Sequence, residues 1–139
     1  MILLDTNVVS EPLRLTPDPR VIQWLDAQPL ETVFISVITV AELRYGVSLL
    51  PTGRRRNMLR EQVENKVLPP FTGRMLAFDL PATQAYAELM ARAQATGVTI
   101  GMADGFIAAI ALTHRMTVAT RDTTPFVAAG VTVINPWQS

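Results

Sequence analysis

An α/β fold, built on a parallel, doubly wound sheet flanked by helices in a single domain, is what this sequence predicts, and three observations carry the prediction. Strand and helix patterns alternate from one end of the chain to the other, as they do where each strand is followed by a crossover helix. Ile2, Leu3 and Leu4 run together without polar alternation, the pattern of a strand covered on both faces of a parallel sheet. Two apolar strand patterns stop at an acid, Asp5 after residues 1–4 and Asp122 after residues 117–120, and in such sheets ligands sit beyond the carboxyl ends of the strands.

At 139 residues and 49% hydrophobic, residues 1–139 are enough for one domain with its own core and too few for two. The apolar opening is too short for a signal-peptide core and lacks a basic flank, and no later run approaches the roughly 18 apolar residues of a membrane span. The expectation is a cytoplasmic protein with no membrane contact. The absence of cysteine fits a reducing compartment and excludes thiol nucleophiles, iron–sulfur clusters and thiolate zinc sites. One histidine, His114, excludes an imidazole cluster. Twelve cations balance twelve acids, so net charge argues neither for nor against a nucleic-acid partner.

Taken in order, Asp5 reads most simply as the cap of a short helix starting at Thr6 or Asn7, with residues 8–11 as a helical turn. Pro12, Pro17 and Pro19 keep the next stretch irregular. Asp18 and Pro19 mark a helix start, with Val21, Ile22 and Leu25 on one face, Trp24 as a packing residue, and an end before Pro29. Residues 31–36, rich in Val, Phe and Ile, read as the second strand, with Ser36 capping the next helix.

That helix, at about 37–50, is apolar almost all round, which leaves Glu42 few directions that reach water. A carboxylate on a mostly buried helix is paired, protonated or bound to a cation. Arg44, two positions on, points elsewhere on the helix and is a poor partner; Arg44 and Tyr45 read as surface and packing. Pro51, Thr52 and Gly53 break the chain before a polar amphipathic helix at 54–66, with Met58, Leu59, Val63 and Val67 inward. The two helices form a hairpin at about 38–67. Arg54, Arg55, Arg56 and Arg60 read as a solvated face, since no aromatic residues are interleaved for base stacking.

Residues 75–78 make a minor strand, and Asp79 with Pro81 opens a helix whose inner face is Ala82, Ala85, Tyr86, Leu89, Met90 and Ala93. Gly97, Gly101 and Gly105 fall four apart, but with Asp104 among them they punctuate a loop and a helix start, not a membrane helix dimer. The helix at 102–114 buries Phe106, Ile107, Ile110, Ala111 and Leu112. Asp104 lies in its first turn, where an acid suits the helix dipole on its own account. His114, at the far end, reads as a late cation or a neutral surface group. A strand at 117–120, a helical turn at 123–129 and a strand at 131–134 complete the chain.

Four carboxylates therefore converge on one edge of the predicted sheet: Asp5 and Asp122 past strand ends, Glu42 and Asp104 near helix starts. Like charges at such spacing call for a hard cation with oxygen ligands, Mg²⁺ or Mn²⁺.

These residues resemble the PIN-domain ribonucleases, and within them the VapC and FitB-like toxins of toxin–antitoxin pairs. The resemblance spans the whole chain and rests on Leu4-Asp5-Thr6-Asn7, Ser36 through Ala41-Glu42-Leu43, Ala103-Asp104 leading into an alanine-rich helix, Thr120-Arg121-Asp122, and the FitB-like tail Val133-Ile134-Asn135-Pro136-Trp137. It implies that Asp5, Glu42, Asp104 and Asp122 are the catalytic, metal-holding quartet, Asp122 being the family's most variable position, and that Thr6 and Thr120 are hydroxyls supporting it. It also implies an endoribonuclease that hydrolyses RNA with Mg²⁺ or Mn²⁺, a small antitoxin as partner, a homodimer, and DNA binding only through the antitoxin.

Other classes fit less well. A phospho-receiver-like regulatory module needs a lysine at a late strand end, and the only lysine is Lys66. A haloacid dehalogenase-type phosphatase needs Asp-x-Asp after the first strand, where this chain has Asn7. No P-loop, nucleophile elbow or dinucleotide fingerprint occurs. A non-catalytic metal-binding module is the remaining alternative, and incubation with RNA and Mn²⁺ separates it from a nuclease.

Overall fold

Five strands, β1 (Ile2–Leu4), β2 (Val33–Ser36), β3 (Met75–Leu76), β4 (Thr117–Ala119) and β5 (Val133–Ile134), form one sheet in the order β3-β2-β1-β4-β5, every neighbouring pair parallel. The computed structural model describes residues 1–138; Ser139, the last residue of the predicted domain, lies outside them. The register sets Ile2 beside Val33 on one side and Thr117 on the other. From β1 the chain winds outward through β2 and β3, then returns to β4 on the opposite flank. The switch in winding direction therefore lies between the carboxyl ends of β1 and β4, where an open α/β sheet leaves a crevice.

Among the described residues seven α-helices cover the sheet: α1 (Thr6–Ser10), α2 (Pro19–Asp26), α3 (Val37–Ser48), α4 (Arg54–Gln62), α5 (Leu80–Ala95), α6 (Met102–His114) and α7 (Thr123–Ala128). Leu3 and Leu4 show why the opening run lacks alternation. Adjacent strand residues point to opposite faces, so Leu3 joins Leu89, Ile107, Val118 and Phe126 in one core, while Leu4 joins Val8, Val21, Ile35 and Trp137 in the other. Both leucines are essentially inaccessible. Truncating either to alanine removes about 2–5 kcal/mol, the usual cost of a cavity in a packed core.

Most helix starts follow the predicted capping chemistry. Asp18, Ser36 and Asp79 accept from the backbone N–H groups of Arg20, Thr39 and Ala82, and Pro19 and Pro81 sit in the first turns. α6 ends on Arg115 in the left-handed region (φ 55°), which lets the Met116 N–H reach the Ala111 carbonyl at 2.9 Å.

Several boundaries and faces differ from the sequence reading. Residues 30–32 form a 3₁₀ turn, so β2 starts at Val33, not residue 31. α4 stops at Gln62 and passes into a π-turn over Val63–Val67. Met58 is 56% exposed instead of inward-facing. β3 ends at Leu76, and Phe78 beyond it packs edge-on against Tyr86 and at a tilt against Phe106, at centroid distances of 5.9 and 4.7 Å. Gly105 lies within α6 and does more than punctuate: a Cβ there would stand 3.0 Å from both Met90 Sδ and Tyr86 Cε2, so its hydrogen lets α5 approach α6 closely.

Candidate acidic metal site

Asp5 leaves β1 at the switch point. Its backbone N–H still donates to the Ala119 carbonyl at 2.9 Å, but its side chain turns to cap α1, Oδ1 accepting from the Thr6 N–H at 2.8 Å. The simple capping role is real, and the other oxygen has a separate one. Oδ2 accepts from the Thr120 hydroxyl at 2.8 Å, a bond that crosses from the end of β1 to the end of β4, and from Asn7 Nδ2 at 3.4 Å. Both oxygens are thus held and the carboxylate is 5% exposed.

Thr120, fully buried just past β4, also accepts from the Asp122 N–H at 3.1 Å. That turn sets where Asp122 stands. Asp122 occupies the cap position of α7, yet its side chain makes no capping bond and is exposed. Asn7 reinforces the same loop, its Oδ1 accepting from the Arg121 N–H at 3.3 Å.

The second hydroxyl predicted to support the site, Thr6, serves a different acid. Its Oγ1 donates to Glu42 Oε1 at 2.7 Å. With its single proton so placed, it accepts from Thr39 Oγ1 at 3.1 Å. Thr39 is fully buried and lies one helical turn from the Ser36 cap. Glu42 itself is exposed, contrary to the expectation of a mostly buried helix. α3 buries only the stripe Thr39, Val40, Leu43 and Val47, and leaves apolar residues such as Tyr45 and Leu49 in water. Arg44 is engaged elsewhere, bidentate with Glu64 at 2.8 and 3.1 Å.

Asp104, in the first turn of α6, is half-buried, and among the described residues no donor reaches its carboxylate. Burial pushes the Asp5 carboxyl up to about 6, and the charges of Asp104 and Glu42 push the same way against the Thr120 and Thr6 hydrogen bonds. Asp104 is raised by burial first, then by Asp122 and Glu42. The four acids predicted from sequence are therefore brought within electrostatic reach of one another, and each of the two more buried ones resists ionisation through its burial and, in smaller part, because the others are there.

Among the described residues no three acids stand close enough together to hold a metal ion by themselves. The donor set is all oxygen, pre-anchored at Asp5 and Glu42 and open at Asp104 and Asp122. That suits Mg²⁺ or Mn²⁺, since Mg²⁺ keeps several waters and is usually held through one or two carboxylates together with a substrate phosphate. Asn7 and Thr39 do not stand out in the sequence as site residues. Asn7 looks like a turn former, and only its place two residues after Asp5 hints at more; Thr39 offers no signal beyond its spacing from Ser36.

Comparison with known proteins places these features in context. A family model described as PIN domain matches residues 2–130. VapC ribonuclease Y4jK of Sinorhizobium fredii is 54% identical over 138 residues, covering 99% of each chain. Toxin FitB of Neisseria gonorrhoeae is 56% identical over 137 residues, again covering 99% of each. The structure of FitAB bound to an IR36 DNA fragment superimposes with a TM-score of 0.95 at 55% identity, covering 99% of this chain and 96% of that one.

Proposed function

The chain belongs to the PIN-domain family, and from that premise we propose that it is the toxin of a toxin–antitoxin pair, an endoribonuclease that hydrolyses RNA phosphodiester bonds at the Asp5–Glu42–Asp104–Asp122 ring with Mg²⁺ or Mn²⁺. The names of its near-full-length relatives, VapC ribonuclease and Toxin FitB, support this over a non-catalytic metal-binding or phospho-receiver-like module. The observation that carries the catalytic reading is Asp104: a half-buried carboxylate with no donor from the described residues, raised by burial and by two neighbouring acids, is poised for a cation.

A cation held by these carboxylates would supply Lewis acidity to activate an attacking water and would offset charge on the scissile phosphate. The chain's part is positional. Thr6 N–H, Thr120 and Asn7 fix the Asp5 carboxylate so that it cannot rotate away. Thr6 takes one oxygen of Glu42 and orients the other without a competing donor from the described residues. Thr120 joins the two strand-end acids by accepting from Asp122 N–H while donating to Asp5. Cleavage by water needs no 2′-hydroxyl nucleophile, which is consistent with the 5′-phosphate ends that the family resemblance implies. Incubation of the pure protein with labelled RNA and Mn²⁺ should give such ends, and EDTA should abolish them; no cleavage with either Mg²⁺ or Mn²⁺ overturns the reading.

The toxin reading brings a cognate antitoxin as partner, with promoter DNA contacted through the antitoxin, a homodimer, and a cytoplasmic site of action. No helix among the described residues is long and apolar enough to cross a membrane. Exposed apolar residues on the hairpin at about 38–67, Tyr45 and Leu49 among them, supply surface for association. A monodisperse monomer by light scattering at micromolar concentration, with no toxicity on expression alone, counts against this assembly.

A further inference from the structure

A groove of about 930 Å³ runs from Thr6 and Glu42 between the 10–15 segment and the hairpin of α3 and α4. At its near end it shares two residues with the acidic ring. Arg54 and Arg55 line it further out, and both are exposed with no ion pair among the described residues. Arg14 joins them from the opposite wall, its guanidinium tethered to the buried Glu11 carboxylate at 3.2 Å. The smaller hollow on the far side of α3 differs in kind: it is spanned by the Arg44–Glu64 ion pair, and none of the four ring acids lines it.

We propose that this groove is the track for the RNA strand leading away from the cleavage point, with Arg54 and Arg55 as phosphate contacts and Leu15 and Met58 as apolar cover for unstacked bases. The inference rests on the ribonuclease reading above. Charge complementarity selects the occupant. A polyanion cut at the acidic ring must pass out of it, and the groove offers two unpaired guanidiniums along that path, the group suited to bidentate phosphate contact. Leu15 and Met58, 91% and 56% exposed, give the bases something to cover. Among the described residues no aromatic side chain lines the groove, so base stacking contributes little and phosphate contacts dominate. Selection then falls on single-stranded, accessible RNA with weak base preference and steep salt dependence. The run of arginines read from sequence as a solvated face is thus divided: Arg54 and Arg55 belong to the groove, whereas Arg56 and Arg60 do not line it.

The test is fluorescence anisotropy of a short labelled single-stranded RNA with the full chain and Mn²⁺, across a salt series and at a temperature where cleavage is slow. The parent is compared with Arg54→Ala/Arg55→Ala and with Lys66→Ala, an exposed cation on the same hairpin outside the groove. The double variant should still fold, because it removes cations from the amino end of α4, where they oppose the helix dipole; circular dichroism checks this. The expected result is weaker binding and a log–log salt slope shallower by about 1.4, roughly 0.7 for each lost single-strand phosphate contact, with Lys66→Ala unchanged. A double variant with the parent's affinity and slope overturns the proposal and leaves the groove to a protein segment, and an equal loss in Lys66→Ala overturns it as a general charge effect. If the parent binds no RNA at all, the failure lies in the ribonuclease reading itself, and the groove proposal falls with it.

Discussion

Thr120 Oγ1 donates to Asp5 Oδ2 at 2.8 Å, joining two residues 115 positions apart at the carboxyl ends of adjacent strands. One hydroxyl thereby holds the central acid of the site and, through the Asp122 N–H, one of its two exposed acids. Thr120→Val keeps the shape and removes both bonds. Asp5 Oδ2 then keeps only the longer bond from Asn7 Nδ2 at 3.4 Å; a buried carboxylate oxygen left poorly satisfied costs about 1–3 kcal/mol, so urea unfolding should show a loss towards the lower end of that range. Mn²⁺ affinity, followed by titration calorimetry, should fall in the same variant, because Asp5 is no longer oriented.

Asp104→Asn separates a metal role from a helix-terminal one. Asp104 makes no capping bond, so a purely structural residue would lose only a dipole contribution of about 0.3–1 kcal/mol. In the metal-free protein, removing one of several crowded charges should leave melting unchanged or raised. Mn²⁺ should stabilise the parent by about 2.7 kcal/mol at a hundredfold excess over Kd and the variant much less. RNA cleavage should vanish while circular dichroism stays native. A variant that keeps both its Mn²⁺-induced shift and its nuclease activity rules out the acidic-site reading.

Asp5 makes the metal-free protein more stable in mild acid. Its carboxyl is raised from 3.8 to about 6 in the fold, so between those values the folded protein holds a proton that the unfolded chain has released. Unfolding stability from this group is therefore highest below about pH 4, falls as pH rises through 6, and is level above that. The full swing is on the order of 3 kcal/mol, at 1.36 kcal/mol for each pH unit. Chemical denaturation in EDTA from pH 4 to 8 should show this decline, and Asp5→Asn should lose that share of it.

Glu42→Gln should separate function from folding in the opposite sense. Glu42 is exposed and its one bond comes from Thr6, so the substitution should change stability by no more than about 0.5 kcal/mol. Cleavage of labelled RNA should nevertheless drop steeply, because the amide removes a negative oxygen donor from the ring. An active Glu42→Gln enzyme excludes Glu42 from the metal site.

Gly105→Ala tests the contact of α5 with α6. The added methyl would meet Met90 Sδ and Tyr86 Cε2 at 3.0 Å. The methionine end can yield, but the Tyr86 ring is packed against both Phe78 and Phe106. Overpacking of this kind costs about 1–3 kcal/mol. A thermal melt unchanged from the parent would show that the ring cluster gives way.

Local chemistry determined much of this protein in the sequence alone. Unbroken apolar runs are legible because a doubly covered strand needs no polar face, and caps such as Asp18-Pro19, Ser36 and Asp79 are legible because each helix start needs a nearby acceptor. Together they disclosed the parallel sheet, its order of elements and the four acids at its edge. Only the tertiary structure decided what those acids touch. An all-round apolar pattern placed Glu42 in the interior, whereas α3 buries a single stripe and hands the rest to solvent and the groove. Thr6 serving Glu42, Thr120 serving Asp5, and Asn7 tying down the Arg121 backbone are pairings across 36 to 115 positions of chain. Periodicity reports which face of an element is apolar, but a hydrogen bond between strand ends depends on which strands become neighbours, and that is settled only when the two cores pack on opposite sides of β1.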